Sequence, residues 1–206
     1  RRQRQMCIRD RYLPELPLFI NTEEQQRYFA LNLQDQIFLN DQWSVLFGAR
    51  FDHITQDFQN KLTDTSSKKD LQQTSPRLGL NYRLNDRWSW YANYGESFAL
   101  NSGMDRNGDV FNPEKGKSYE IGGKYRITPQ SLLSLALFKM VKENVLTTDP
   151  ADSNYQITAG EVSSKGLELD LETQLNDQFS IRANYSYTDA QVEKDQSLSL
   201  IHISEP

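Results

Sequence analysis

The stretch Ser75–Phe98 admits few folds. Pro76, Leu78, Leu80, Tyr82 and Leu84 occupy one set of alternate positions, and Arg77, Gly79, Asn81 and Arg83 the other. After Asn85-Asp86-Arg87 the alternation resumes. Trp88, Trp90, Ala92, Tyr94 and Phe98 fall on one side, and Ser89, Tyr91, Asn93, Gly95 and Ser97 on the other. A period of two marks strands, and a short Asn-Asp turn between them marks an antiparallel hairpin. Each arm runs about ten residues, the length a tilted strand needs to cross a bilayer. One face apolar with aromatics near its ends, the other polar, is the pattern of a transmembrane barrel with lipid outside and water inside.

The same rhythm extends along the chain. Arg27–Leu39 reads as a strand with Phe29, Leu31, Leu33 and Ile37 on one face, interrupted by Asp35. Trp43, Val45, Phe47, Ala49 and Phe51 form the apolar face of the next. Gln56–Thr74 is long, rich in Lys, Asp, Ser, Thr and Gln, and reads as a solvated loop, as does Asn101–Lys117 with its NSG, RNGD and NPEKG turn signals. Tyr119, Ile121, Gly123, Tyr125 and Ile127 alternate with polar neighbours. Ser131–Thr147 is apolar on both faces in its lower half, which leaves its inward side open. Helix is the rival over Leu132–Val145, and the flanking hairpins favour strand. Thr148–Asn154 reads as a loop and Tyr155–Thr158 as the start of a strand. Val162–Leu175 follows, with Leu167, Leu169 and Leu171 opposite Glu168, Asp170 and Glu172. Phe179, Ile181, Ala183, Tyr185 and Tyr187 close the series. The turns LNDQW, LNDRW, ITPQS and LNDQF begin at Leu39, Leu84, Ile127 and Leu175, at nearly constant spacing. Tight turns thus alternate with long polar connections, the asymmetry of barrels with short periplasmic turns and long outer loops. A soluble β-sandwich also alternates, but its strands run nearer five or six residues.

The two ends stand apart. Met6–Asp10 and Leu198–Pro206 back-translate into reverse-complementary stretches that resemble a sequencing-library adapter, so 1–11 and 198–206 are read as non-native tails and 12–197 as the protein proper. Cys7 and His202 leave with them. So does the basic N-terminus, and the remainder is more acidic than the whole chain's net charge of −5. A mean hydropathy of −0.73 does not exclude a membrane protein here, since only alternate residues of a barrel meet lipid.

Catalytic groupings are scarce. His53 follows Asp52, but neighbours on a strand point to opposite faces and cannot converge. Gly122-Gly123-Lys124 lacks phosphate-loop spacing, and Asp105–Asp109 starts like a calcium loop without its distal Glu. The row Glu168, Asp170, Glu172 is read as hydrated lumen surface paired with basic groups of adjacent strands. No enzymatic role, cofactor or protein-bound metal is expected.

The segments LQDQIFLNDQWSVLFGARFD (Leu33–Asp52), NYGESFA (Asn93–Ala99), KSYEIGGKYRI (Lys117–Ile127), Phe138 with Asn144-Val145, and VSSKGLELDLETQL (Val162–Leu175) together resemble the barrel of TonB-dependent siderophore receptors. The resemblance implies an all-β fold: about eight antiparallel strands as an open curved sheet, part of a larger plugged barrel of the bacterial outer membrane. It implies active import of a ferric siderophore, driven by the TonB energy-transducing complex through a plug this stretch does not contain. A passive porin-like channel is the alternative. The chain would be an internal fragment of the wall, in contact with outer-membrane lipid and not with nucleic acid. A siderophore mouth needs aromatic and polar groups at the outer end, and Phe98, Met104, Phe111 and Tyr155 are the candidates there.

Overall fold

The computed structural model describes residues 21–194. The end segments 1–11 and 198–206 lie outside the described residues. Eight antiparallel strands follow one another in an unbroken meander: β1 (Thr22–Phe38), β2 (Trp43–Asn60), β3 (Thr65–Arg83), β4 (Trp88–Ala99), β5 (Glu114–Thr128), β6 (Ser131–Asp149), β7 (Asp152–Gln174) and β8 (Ser180–Lys194). Each strand pairs only with its sequence neighbours in one curved sheet.

The repeated Asn-Asp turns share one chemistry. Asn40 Oδ1 accepts the backbone N–H groups of Gln42 and Trp43, both at 2.8 Å. Asn85 does the same for Arg87 and Trp88, and Asn176 for Gln178 and Phe179, all at 2.9 Å. This side-chain mimicry of a backbone turn is why Asn recurs there. At the fourth turn the Thr128 hydroxyl takes the Asn role, accepting from the Gln130 N–H at 3.3 Å.

Strand pairing sorts the side chains into two faces. Val45 pairs with Leu80, Leu80 with Ala92, Ala92 with Ile121, and Ile121 with Leu137. Leu137 pairs with Leu167, and Leu167 with Tyr187. Among the described residues no protein covers this apolar face: Leu78 is 53 % exposed and Ile121 57 %. Trp43 stacks on Tyr82 at 4.4 Å and Trp88 on Tyr125 at 4.3 Å along the turn end, with Tyr94 against Tyr119 at 5.1 Å higher up. An uncovered apolar band edged by aromatic girdles is a surface made for lipid. Asp35 does lie on it, opposite Phe47, its carboxylate accepting the Gln36 N–H at 2.8 Å.

The other face is polar and lines the lumen. Glu172 pairs with Arg182 there at 2.5 Å. β6 is a strand, and its inward side is now assigned: Leu132, Ser134, Ala136, Phe138 and Met140 face the lumen while Leu133, Leu135 and Leu137 join the lipid band. The two glycines of β5 have a packing reason. Trp90 on the outside and Tyr91 on the inside lie across them, so that a Cβ at Gly123 would come within 2.7 Å of the Trp90 ring and one at Gly122 within 2.5 Å of Tyr91.

The expected loop at Gln56–Thr74 is instead a tall hairpin. β2 and β3 stay in register from Trp43↔Tyr82 to Asn60↔Thr65, rising about 30 Å beyond Phe51 at 3.3 Å per residue. Thr148–Asn154 likewise closes as a tight turn at Pro150-Ala151 between β6 and β7. The asymmetry of the two ends is therefore mostly one of hairpin height. Both misreadings have the same cause: beyond the bilayer, a strand has no lipid face to write an apolar alternation into the sequence.

The candidate ligand-binding mouth

Above the lipid band the lumen face of β1–β3 carries the few buried apolar side chains. Ile54, Phe58 and Leu71 are 0 %, 8 % and 9 % exposed. Val110 and Phe111 are buried as well, because the β4–β5 connection, 100–113, folds inward across the lumen and is hydrogen-bonded to β2 and β3 there. Apolar burial draws it in, and a set of hydrogen bonds fixes it. Gln56 Nε2 donates to Glu24 at 2.7 Å and to the Asn101 carbonyl at 3.0 Å. Ser102 donates to Glu24 as well. Lys69 Nζ donates to the Val110 carbonyl at 3.0 Å and to Asn112 Oδ1 at 2.9 Å.

On its far side the connection is tied to β6. Asn144 sits at a bulge with φ 60°, a conformation Asn tolerates better than most residues. Its side chain donates to the Pro113 carbonyl, and its own carbonyl accepts from Asn101 Nδ2, each at 3.0 Å. Arg106 reaches the buried Asp149 at 3.6 Å. Burial pushes the Glu24 carboxyl up, but the hydrogen bonds from Ser102, Gln26 and Gln56 outweigh it. Glu24 is held below its ordinary value of 4.5.

Between this connection, β3 and β7 lies a cavity of 590 Å³. Ser67, Lys68 and Lys69 line one side and Ile157 and Thr158 another. Asp105, Asp109, Val110, Phe111 and Asn112 complete it. Its size is that of a small-molecule site. Asp105, the head of the calcium-like run, spends its carboxylate on its own turn, accepting the Asn107 and Asp109 N–H groups at 2.8 and 3.0 Å. Asp52 is buried against Arg50 on the lumen face, with Arg50 Nε at 2.8 Å, while His53 stands exposed on the opposite face, so the two do not meet.

Of the four residues expected at the mouth, Phe111 lines the cavity and Met104 stands beside it, bridged to Val110 across the small hairpin. Tyr155 is exposed on β7, just ahead of Ile157 and Thr158. Phe98 is placed elsewhere. It shares its face with Trp90 and Tyr94, on the outside of the wall, because the strand alternation runs unbroken to its end. Lys69 and Thr158 were missed because both lie in stretches read as loop or strand start. The spacing of Ile54, Gln56 and Phe58 was the available signal that β2 continues.

Three comparisons bear on this geometry. A family model described as TonB dependent receptor-like, beta-barrel matches residues 1–201. The chain is 40 % identical over 177 residues to a metal-pseudopaline receptor of Pseudomonas aeruginosa, covering 82 % of this chain and 25 % of that one. It is 33 % identical over 178 residues to the ferrichrome outer membrane transporter/phage receptor of Escherichia coli, covering 82 % of this chain and 24 % of that one. The chain thus spans about a quarter of the length of these curated relatives. Among solved structures, the siderophore receptor PiuA of Acinetobacter baumannii superposes with a TM-score of 0.72 at 22 % identity, over 84 % of this chain and 27 % of that one. The unliganded ferric citrate transporter FecA superposes at 0.69 with 26 % identity, over 88 % and 29 %.

Proposed function

Since this chain belongs to the TonB-dependent receptor-like β-barrel family of the bacterial outer membrane, we propose that it forms part of the wall and mouth of an importer of chelated metal. The observation that carries this reading is the inward-folded 100–113 connection. It turns an otherwise open sheet into a walled cavity at the outer end, above a polar lumen. Phe111, Met104 and Tyr155 supply aromatic and soft apolar surface at or beside that cavity. The metal arrives already chelated, as cargo, and needs no protein ligand. The polar lumen face would meet a plug, and TonB would act through that plug to open a path. Among the described residues His53 and Asp52 lie on opposite faces and do not meet, and the transport reading asks for no covalent step.

A porin-like channel is not favoured, because the similar proteins are named as receptors and transporters. Within import, the identity to the metal-pseudopaline receptor favours a second cargo beside ferric siderophores, namely a metal–pseudopaline chelate. The test is uptake by the full-length receptor in a strain lacking other chelate receptors. Radiolabelled ferrichrome, ferrioxamine B and nickel-, zinc- or iron-loaded pseudopaline would be compared with and without TonB. Accumulation of one chelate that vanishes without TonB is the expected result. TonB-independent passage of all small solutes would overturn it.

A further inference from the structure

The wall is split within the described residues, and the split borders the mouth cavity. β3 pairs with β2 along its whole length, Thr65 to Tyr82, but with β4 only from Arg77 to Arg83. Above Arg77↔Gly95 the two strands part. The residue at the fork is Pro76, and its place explains the parting. The Arg83 N–H donates to the Gln42 carbonyl and the Leu84 N–H to the Trp88 carbonyl. With an unbroken register, odd-numbered residues of β3 therefore aim their main-chain groups at β2 and even-numbered ones at β4. Pro76 is even. It has no N–H to give to β4, so the ladder ends there without cost to the β2 side.

Beyond the fork, Ser66, Lys68, Asp70, Gln72 and Thr74 aim their main-chain groups at a position no strand of the described residues fills. Such an edge is a template for any extended group carrying N–H and C=O in alternation. Its upper part is exposed and borders the cavity. Ser67, Lys68 and Lys69 form one side of the 590 Å³ cavity. The opposite side is held rigid, because Lys69 itself donates to the Val110 carbonyl and Asn112 Oδ1. Charge does not select the occupant, since two lysines and two aspartates line the space together. What the cavity offers beyond charge is the unpaired edge at Lys68, whose main-chain groups aim away from β2.

We propose that the free edge of β3 at Lys68 is the docking strand of the mouth, and that it takes a metal chelate whose backbone carries amide groups, paired as an added strand would be. This rests on the import reading and narrows its substrate class. The cavity's volume favours such a chelate over a protein strand, which would need the whole edge up to Thr74 and not its upper part alone.

The register supplies a clean test on the full-length receptor. Lys68→Pro removes an N–H that points away from β2, so the hairpin ladder survives. Lys68→Ala removes the charge and keeps the N–H. Gln72→Pro blocks the same edge below the cavity. Binding of ferrichrome, ferrioxamine B (both amide-bearing) and metal-loaded pseudopaline is measured by titration calorimetry, with circular dichroism and heat-modifiable gel mobility reporting the fold. Loss of one main-chain hydrogen bond predicts affinity for ferrichrome or ferrioxamine B roughly fivefold to tenfold weaker in Lys68→Pro, and within about twofold of wild type in the other two. Equal loss in Lys68→Ala would make the side chain the contact and overturn the proposal. So would undiminished binding by Lys68→Pro, or a wild type that binds only pseudopaline, while import itself would stand. Loss of chelate binding in Gln72→Pro equal to that in Lys68→Pro would place the effect outside the cavity and would also overturn the proposal. A wild type that binds none of the three would sink the import reading along with the docking strand.

Discussion

Asn144 is where the mouth can be loosened with the least disturbance elsewhere. Its φ of 60° sits in the left-handed region, at the bulge where β6 leaves register with β7. Alanine there meets a dihedral cost of about 1–2 kcal/mol. It also deletes the donor to the Pro113 carbonyl, a half-buried hydrogen bond worth about 1 kcal/mol, more if the carbonyl finds no water. Glycine deletes the same donor without the dihedral cost, and returns part of that gain as extra freedom in the opened state. The expected loss is therefore about 2–3 kcal/mol for Asn144→Ala and about 1–2 kcal/mol for Asn144→Gly. This is a local opening free energy, because the rest of the sheet does not depend on the clasp. Hydrogen–deuterium exchange of the full-length receptor would read it directly. At 1.4 kcal/mol per tenfold, amides in 101–112 should lose roughly 30- to 100-fold protection in Asn144→Ala and roughly 5- to 30-fold in Asn144→Gly. Strand amides of β3 and β4 near Leu80 and Ala92 should not change. Unaltered protection of 101–112 in the alanine variant, or a larger loss in glycine than in alanine, would refute both the clasp and the strain assigned to it.

Glu24 makes the same connection sensitive to acid. Its carboxyl is held below 4.5, so its contribution is present above that pH and fades as pH falls through the lowered value; exchange of 101–112 should quicken on acidification below the ordinary carboxylate range in wild type and not in Glu24→Gln. Gly123→Ala should drive the Trp90 ring off β5, costing about 1–3 kcal/mol and shifting tryptophan emission, whereas the same change at Gly108, where a Cβ meets nothing within 4 Å, should leave emission unchanged. Asp35→Leu replaces a carboxylate on the lipid face and should raise the urea midpoint of the full-length barrel by the equivalent of about 1 kcal/mol; a lowered midpoint would show that a basic group from outside the described residues answers Asp35.

How far the sequence could be read follows the lipid. Between the girdles every second residue must tolerate hydrocarbon, so Trp88, Trp90, Ala92 and Tyr94 declare their face without any neighbour. The tight turns were equally legible, since Asn40, Asn85 and Asn176 perform a local chemistry. β6 was ambiguous because Leu132 and Phe138 put apolar side chains into the lumen as well. Its orientation comes from pairing with Leu167, Leu169 and Leu171, a long-range fact. Phe98 was misplaced because being near the strand top was taken as facing the mouth, though the alternation begun at Trp88 already put it outside. Lys69 and Asn144 were invisible for another reason. Their roles depend on a connection that folds back over distant strands, and no local pattern encodes that fold-back.

The place where the periodic signal stops is also where the wall acquires a mouth. Below Pro76 the β3–β4 ladder is continuous and each strand obeys the bilayer. Above it the lipid constraint lapses, and three departures from a uniform barrel occur together. The ladder forks at a proline, the β4–β5 connection turns inward onto Ile54 and Phe58, and β6 bulges at Asn144 to meet it. Each alone would be costly. An open edge invites wrong pairing, an inward loop buries main-chain groups, and a left-handed Asn is strained. Together they offset one another: the inward connection walls off the open edge, Gln56 and Lys69 satisfy its carbonyls, and Asn144 gains two partners in exchange for its dihedral. A sheet that needed only to seal a membrane would have no use for any of the three, and their coincidence around one cavity is the strongest structural reason to place ligand capture there.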